Sequence, residues 1–341
     1  MAINIDDIRE ILKSTRTGLM GKANVVATGI GYKVTNGKVT DDLSIICSVE
    51  HKKPKKSLTA SELLPQFLES IPIDVNPSGP IFAFQDPKLR YRPAPGGTSI
   101  GHYQITAGTF GCTVKKDGKR YILSNNHVLA NSNDADFGDD ILQPGPHDGG
   151  SRPADVMAKL HDFVPIAWDG DDGGGGGGGS DCPFANAAAN MLNGMAAAAG
   201  RKSRLKAVIE NTPGQNLVDC AIAEPVNEND ITDDIMQIGN ISGIAEGNLG
   251  MSLQKFGRTT EYTTGTILQI DVTSTVSYGT GKTATFVDQL MAGNMSAGGD
   301  SGSAVLNSDK QIVGLLFAGS SSSTIINRIQ NVFDLLNISL P

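Results

Sequence analysis

The chain has 341 residues, 39% hydrophobic and 19% charged, with a formal net charge of −8 and a pI near 5.1. That length exceeds one ordinary domain and leaves ample material for a core, and the balance is that of a soluble globular protein. The acidic balance excludes a nucleic-acid or anionic-membrane partner, because either needs a clustered basic face.

The N-terminal stretch, Met1 to Lys22, carries Asp6, Asp7, Arg9 and Glu10 among its apolar residues and so lacks the apolar centre of a signal peptide. Nothing approaches the about eighteen apolar residues of a membrane span. Ile5 to Leu19 has a helical stripe behind a cap at Asn4, and Asn24 to Val34 then turns to β character. Asn36-Gly37 predicts a hairpin turn into Leu43 to Val49. The basic run from His51 to Lys56 reads as a solvated loop. Ser57 to Glu69, with Leu63, Leu64, Phe67 and Leu68 on one face, predicts a second helix, and Ile71 to Val75 a strand. Together these make a small α+β module without a catalytic cluster.

Tyr91 to Gly101 is a connector. Thr106 to Lys115, the turn Asp117-Gly118 and Arg120 to Ser124 read as strand, turn, strand, with His127 just past the second strand. Asp139 to Leu142 and Pro153 to Val164 offer further short strands. Seven consecutive glycines and an alanine-rich run from Ala185 to Ala199 then predict a flexible tether carrying a helix. Asn216 to Ala223 is an apolar strand interrupted by Asp219, a carboxylate that is costly to bury unless a partner such as an imidazole meets it.

From Met251 the chain alternates β-prone pieces with turns, including Gly257-Arg258-Thr259-Thr260, and ends in a helix with Val332, Leu335 and Leu336 inward. Within this part, Gly298 to Gly319 reads G-G-D-S-G-S-A-V-L-N-S-D-K-Q-I-V-G-L-L-F-A-G. Ser301 stands in a tight turn of small residues backed by a hairpin, which lifts its hydroxyl clear and gathers amide N–H groups at one spot. Those are the parts of a nucleophile with an oxyanion hole. Such a serine needs a base and a group that orients the base, and His127 and Asp219 precede it in that order.

Ser-Asn-Asn-His-Val, Val-Asp-Cys-Ala-Ile-Ala and Gly-Gly-Asp-Ser-Gly-Ser-Ala-Val resemble the three catalytic blocks of trypsin-like serine proteases, over roughly Gly108 to Ile338. With the leading module, the glycine run and the Gly-Arg-Thr-Thr turn, the chain is similar to bacterial relatives of the plant narrow-leaf trypsin-like proteases. The resemblance implies a mainly β fold: two six-stranded antiparallel Greek-key barrels of chymotrypsin type, preceded by the small α+β module. The module would cover 1–90, the first barrel 91–235 with the insert at 169–215, and the second barrel 236–341 with the C-terminal helix.

It also implies a serine endopeptidase in which His127 is the base, Asp219 its orienter and Ser301 the nucleophile, with Gly299 and Ser301 amides as the oxyanion hole. Met295 falls at the base of the specificity pocket, with Phe317 and Gly319 along its wall, so an apolar side chain is expected before the cut. Protein or peptide substrates, homo-oligomeric assembly and a cytoplasmic address are expected, without nucleic acid or membrane. No cofactor or metal is expected: Cys47, Cys112, Cys182 and Cys220 are scattered without C-x-x-C pairs, which fits a reducing compartment, and His51, His102, His147 and His161 read as ordinary surface residues without ligand spacing. Asp300 departs from secreted relatives, since no activation site frees a new N-terminus to pair with it. The competing readings are a catalytically silent scaffold on the protease fold and an esterase using the same residues.

Overall fold

The computed structural model describes residues 4–35, 37–81, 85–170, 215–279 and 281–341, and it divides into two compact units, Met1–Gln85 and Asp86–Pro341. The glycine run and the alanine-rich stretch expected to form a helix lie outside the described residues.

In the first unit, α1 (Ile5–Met20) starts where Asn4 accepts the Asp6 amide and where Asp6 and Asp7 face the positive end of the helix. Strands β1 (Val25–Thr35) and β2 (Lys38–Val49) form an antiparallel hairpin, and β4 (Ile71–Pro77) lies parallel to β2, with the two-residue β3 (Phe67–Leu68) on its outer side. Ile8, Leu12 and Leu19 of the helix pack on Ile45, Cys47, Ile71 and Ile73 of this sheet. The helix expected over Ser57 to Glu69 is absent. Instead Lys55–Ser57 makes a short 3₁₀ turn, and the Leu63 amide closes one further turn on the Thr59 carbonyl at 3.1 Å. Glu62 does bond back to the Thr59 amide at 3.0 Å, as a helix-starting box should. Pro65 then stops propagation, since it donates no N–H and forces Leu64 out of the helical region.

The second unit holds two closed barrels of the same topology. The first contains β6 (Ser99–His102), β7 (Gly108–Thr109), β8 (Cys112–Lys116), β9 (Lys119–Ser124), β10 (Asp140–Leu142), β11 (Val156–Phe163) and β12 (Ala221–Pro225), in the order β7-β6-β10-β11-β12-β9-β8. Its two end members are halves of one bent strand: the Phe110 amide bonds Thr98 on one side and the Gly111 amide bonds Leu123 on the other. The row therefore closes into a ring of six. Outside the rings, β5 (Ala94–Gly96), β13 (Ile231–Ile235) and β14 (Gly239–Asn240) form a three-stranded sheet, and β15 (Gly243–Ile244) edges the second barrel, which contains β16 (Ser252–Gly257), β17 (Glu261–Ser277), β18 (Thr283–Gly293), β19 (Ala304–Asn307), β20 (Gln311–Gly319) and β21 (Ser323–Arg328) and closes through the β20–β21 pairing. Counting strands within each barrel, both rings run 1-2-3-6-5-4, the Greek-key order. This is the chymotrypsin-type double barrel expected from the sequence.

The barrels are not separate bodies. Cys112, Val114 and Leu123 of the first and Phe256, Leu306, Ile312 and Leu315 of the second belong to one buried cluster, sealed by α3 (Ile329–Leu336) through Ile329, Val332, Phe333 and Leu336. Leu335, expected to face inward, is exposed. Backbone meets backbone where the barrels touch. A Cβ on Gly111 would overlap the Gly302 carbonyl oxygen and stand 2.9 Å from the Leu123 carbonyl oxygen.

Gly111→Ala is therefore expected to lower stability by about 2–3 kcal/mol, because neither carbonyl belongs to a side chain that can swing away. Urea unfolding should show a lower midpoint at unchanged slope. A variant as stable as the parent would mean that the barrels do not approach this closely.

Candidate active site

His127 and Asp219 enter the groove from neighbouring strands of the first barrel. β9 and β12 pair with Ser124 opposite Ala221, so the segments just beyond them lie side by side. His127 is carried on a single helical turn, α2 (Asn126–Leu129), that starts where β9 ends. Its Nδ1 lies 2.6 Å from Asp219 Oδ2, and its amide donates to Oδ1 of the same carboxylate at 3.2 Å. The Asp219 side chain is wholly buried, while the imidazole keeps 22% of its surface exposed. With Nδ1–H committed to an anion, Nε2 carries the lone pair toward solvent.

Asp219 is also fixed from the second barrel. Its amide donates to Asn327 Oδ1 at 3.0 Å, and Asn327 in turn donates to Gln289 Oε1 at 2.7 Å. Tyr278 adds a hydroxyl donated to Asp219 Oδ2 at 2.8 Å. Burial first, and then the neighbouring Asp219 charge, push the Tyr278 phenol far above its ordinary range, so it is held as a donor.

Ser301 stands in the turn before β19, docked on the first barrel. The Thr109 amide donates to the Ser301 carbonyl at 2.8 Å, and Thr109 Oγ1 donates to the Gly299 carbonyl at 2.9 Å. A Cβ on Gly108 would meet Val128 Cγ1 at 2.7 Å and the Ser301 carbonyl oxygen at 3.0 Å, so the strand at Gly108 runs between the His127 helix and the Ser301 turn. No hydrogen bond joins the Ser301 hydroxyl to His127. The hydroxyl donates instead to the Phe317 carbonyl at 3.4 Å.

Gly299 and Gly302 sit at φ +97° and +93°, the left-handed region that suits glycine, and between them the amides alternate in use. Asp300 N–H bonds Ala297 and Gly302 N–H bonds Leu316, whereas the N–H groups of Gly299 and Ser301 have no acceptor among the described residues. The Gly298 carbonyl is held by Thr259 Oγ1 at 2.7 Å, which turns the N–H of the same trans peptide the opposite way.

Asp300 answers the question raised by its missing N-terminal partner. Its buried carboxylate accepts the amides of Thr259, Thr260 and Ala297 at 2.8, 3.1 and 2.9 Å, and the Thr260 hydroxyl at 2.6 Å. Lys255 Nζ stands 3.4 Å away, and both side chains are fully buried. Burial pulls the Lys255 ammonium below its ordinary value of 10.5, only partly offset by the Asp300 charge. The Gly-Arg-Thr-Thr turn thus wraps the acid that precedes the serine.

A cavity of ≈ 210 Å³ opens beside Ser301, lined by Ser296, Ala297, Gly298, Ala318, Gly319 and Ser320. Gly319 is one of these lining residues. Met295 is not a lining residue: its side chain packs with Leu253, Ile267 and Leu316 in the barrel core, and Ser296 takes its place at the cavity. Phe317 likewise turns inward onto Phe286 and Ile325, leaving only its carbonyl near Ser301. Among the other histidines, His102 is no surface residue. It is fully buried, with Nε2 3.0 Å from Asp139 Oδ2 and Nδ1 accepting the Gln104 amide.

Lys255, Tyr278, Asn327 and Thr109 were not legible as site residues, because each sits in an ordinary strand or turn and matters only through contacts across the groove. No protein-family model and no curated protein matches the chain. Among solved structures, Protease A of Thermobifida fusca aligns at 14% identity and TM-score 0.44, over 72% of this chain and 98% of its own. A glutamic-acid-specific serine protease aligns at 18% and 0.45, over 73% and 100%. The Cellulomonas bogoriensis chymotrypsin aligns at 14% and 0.42, over 72% and 97%.

The Asp300 site predicts an order of damage. Asp300→Asn leaves Lys255 unpaired and sets an amide against donors, and is expected to cost about 3–5 kcal/mol. Lys255→Met is expected to cost less, since the carboxylate keeps its amide and hydroxyl donors. The pH dependence has a definite sign: Lys255 binds its proton less well folded than unfolded, so its contribution to stability rises with pH through the window that ends near 10.5. Chemical unfolding of parent and both variants between neutral and alkaline pH checks this. Equal costs, or no difference in slope between parent and Lys255→Met, would contradict it.

Proposed function

We propose that the chain is a serine endopeptidase. The observation that carries this reading is the 2.6 Å bond between His127 Nδ1 and Asp219, which leaves Nε2 as a base across strand β7 from the Ser301 turn. Ser301 Oγ attacks the peptide carbonyl while Nε2 takes its proton, and Asp219 holds the ring and offsets the charge of the imidazolium. The carbonyl oxygen, now an anion, is received by the unpartnered amides of Gly299 and Ser301. The tetrahedral centre then collapses as the C–N bond breaks and the imidazolium returns the proton to the departing amine. A water molecule, activated by the same Nε2, repeats the sequence on the acyl-enzyme and frees Ser301.

The cavity supports a small, uncharged side chain before the cut, in place of the medium apolar one expected from Met295. Apart from Leu316 its lining is glycine, alanine and serine, and a Cβ on Gly319 would stand 2.8 Å from the Ser323 carbonyl oxygen and 3.2 Å from Ser296 Oγ. The kinship with bacterial relatives of the narrow-leaf proteases, the homo-oligomeric assembly and the cytoplasmic address belong to the same proposal and rest on the sequence blocks.

A fluorophosphonate probe is expected to label the full chain at Ser301, with labelling abolished in Ser301→Ala. Peptide turnover should fall by about 10⁴-fold or more in Ser301→Ala and in His127→Ala. Labelling that survives Ser301→Ala, or a correctly folded parent that neither labels nor cleaves a peptide library, would remove the protease reading.

A further inference from the structure

Two donors converge on one oxygen of the buried acid. Asp219 Oδ2 accepts from His127 Nδ1 at 2.6 Å and from the Tyr278 hydroxyl at 2.8 Å, while among the described residues Oδ1 accepts only the His127 amide. Tyr278 comes from the tip of the β17–β18 hairpin of the second barrel, whereas Asp219 and His127 belong to the first. The hairpin reaches across because its tip is held: the Tyr278 amide donates to the Lys282 carbonyl at 3.0 Å, and Lys282 pairs with Asp134 at 3.4 Å and lies over the Trp168 ring at 5.1 Å. The Asp169 carboxylate receives the Thr285 amide at 3.1 Å on the following strand. The Tyr278 ring meets the imidazole edge-on at 5.7 Å and the Trp168 indole at 5.2 Å.

From this placement we infer that Tyr278 is a positioning residue of the site, which sets how strongly Asp219 draws the imidazole proton. The inference rests on the protease reading for its kinetic consequence alone. A carboxylate oxygen that shares its electron density between two donors gives less to each, so the phenol weakens the pull of Asp219 on Nδ1–H and lowers the proton affinity of the ring. Only a neutral phenol can do this. The Asp219 side chain is wholly buried, which removes water as a competing donor to its oxygens.

The charged and titratable groups around the imidazole leave this assignment intact. On its own strand pair it meets Asp219; the next residue, Cys220, is turned into the core shared by the barrels, where burial keeps its thiol protonated. From the hairpin it faces Tyr278, and beyond the ring lie Lys282, paired with Asp134, and Asp169, bonded to Thr285. Tyr278 alone among these bonds the oxygen that bonds the ring.

Tyr278→Phe keeps the ring contacts and deletes the donor. In the full-length chain, the low-field proton resonance of His127 Nδ1–H, assigned by its loss in His127→Ala, is expected to move further downfield and to titrate at higher pH. The acid limb of kcat/KM should follow by about half a pH unit or more, with kcat on the plateau changed less than tenfold. A fluorinated tyrosine at 278, a stronger donor of almost the same shape, is expected to move the resonance the opposite way. That second substitution keeps the test open if Tyr278→Phe fails to fold. Unchanged resonance position and titration in a folded variant would overturn the inference. A parent without peptidase activity whose resonance still shifts would sink the protease reading and leave the role of Tyr278 standing.

Discussion

The structure turns on a carboxylate with no route to water. Asp300 is fully buried, and an ion of that kind persists only if protein groups replace its hydration. Three amides and one hydroxyl do so, drawn from two separate turns, and Lys255 supplies the countercharge. Because burial outweighs the Asp300 attraction at Lys255, the ion pair by itself is poor compensation. The hydrogen bonds to the anion, each on the order of 1.5–3 kcal/mol, carry more of the burden. Their geometric consequence reaches further than their energy. Meeting Asp300 fixes residues 297 to 300 against 259 to 260, and so fixes which amides of the Ser301 turn are used and which are left over.

The same turn is tied to the first barrel through Thr109, whose amide and hydroxyl bond the Ser301 and Gly299 carbonyls while its hydroxyl receives the Arg258 amide at 3.0 Å. One short threonine thereby holds the serine turn and the Gly-Arg-Thr-Thr turn in register with the strand that runs to the His127 side. Arg258 is anchored in addition by its Nε bond to Asp148 at 2.7 Å. A groove between two barrels is precise only when its walls are bonded to each other, and here one of the bonds, from the Thr109 amide to the Ser301 carbonyl, joins backbone to backbone and no rotamer change can release it.

How much of this was legible in the sequence depends on how local each signal is. Gly-Asp-Ser-Gly demands a particular turn, and a lone acid in an apolar strand demands a partner, so Ser301, Asp219 and His127 stand out as strings. The alternation of short strands and turns marks the barrels. By contrast, Tyr278 and Lys255 are ordinary residues of a hairpin and a strand, and their importance arises from neighbours about 60 and 45 positions away by the numbering. Met295 fails for a different reason: spacing from the serine fixes where the backbone runs but not which of two neighbouring side chains turns to the cavity, and here the cavity receives Ser296 and the core receives Met295. The lost helix at Ser57 to Glu69 had its starting signals and was ended by Pro65, whose veto is stronger than the summed preference of the leucines around it.

The orientation of the Ser301 hydroxyl follows from what else the turn has spent. Its amide is left open and its carbonyl is committed to Thr109, so the side chain alone is adjustable. At 3.4 Å the bond to the Phe317 carbonyl is long for O–H···O, where about 2.7–2.8 Å is usual, and it contributes little to holding the rotamer. The backbone beneath it is the opposite case: glycine at 299 and 302, Asp300 buried between them, and a carbonyl pinned from the neighbouring barrel. A rigid platform bearing one loosely held hydroxyl separates the two demands on a nucleophile, since the anion-binding amides must not move while the oxygen must exchange one acceptor for another. A turn held by the serine side chain itself would have to break that hold at every reaction step; this one is held by Asp300 and Thr109.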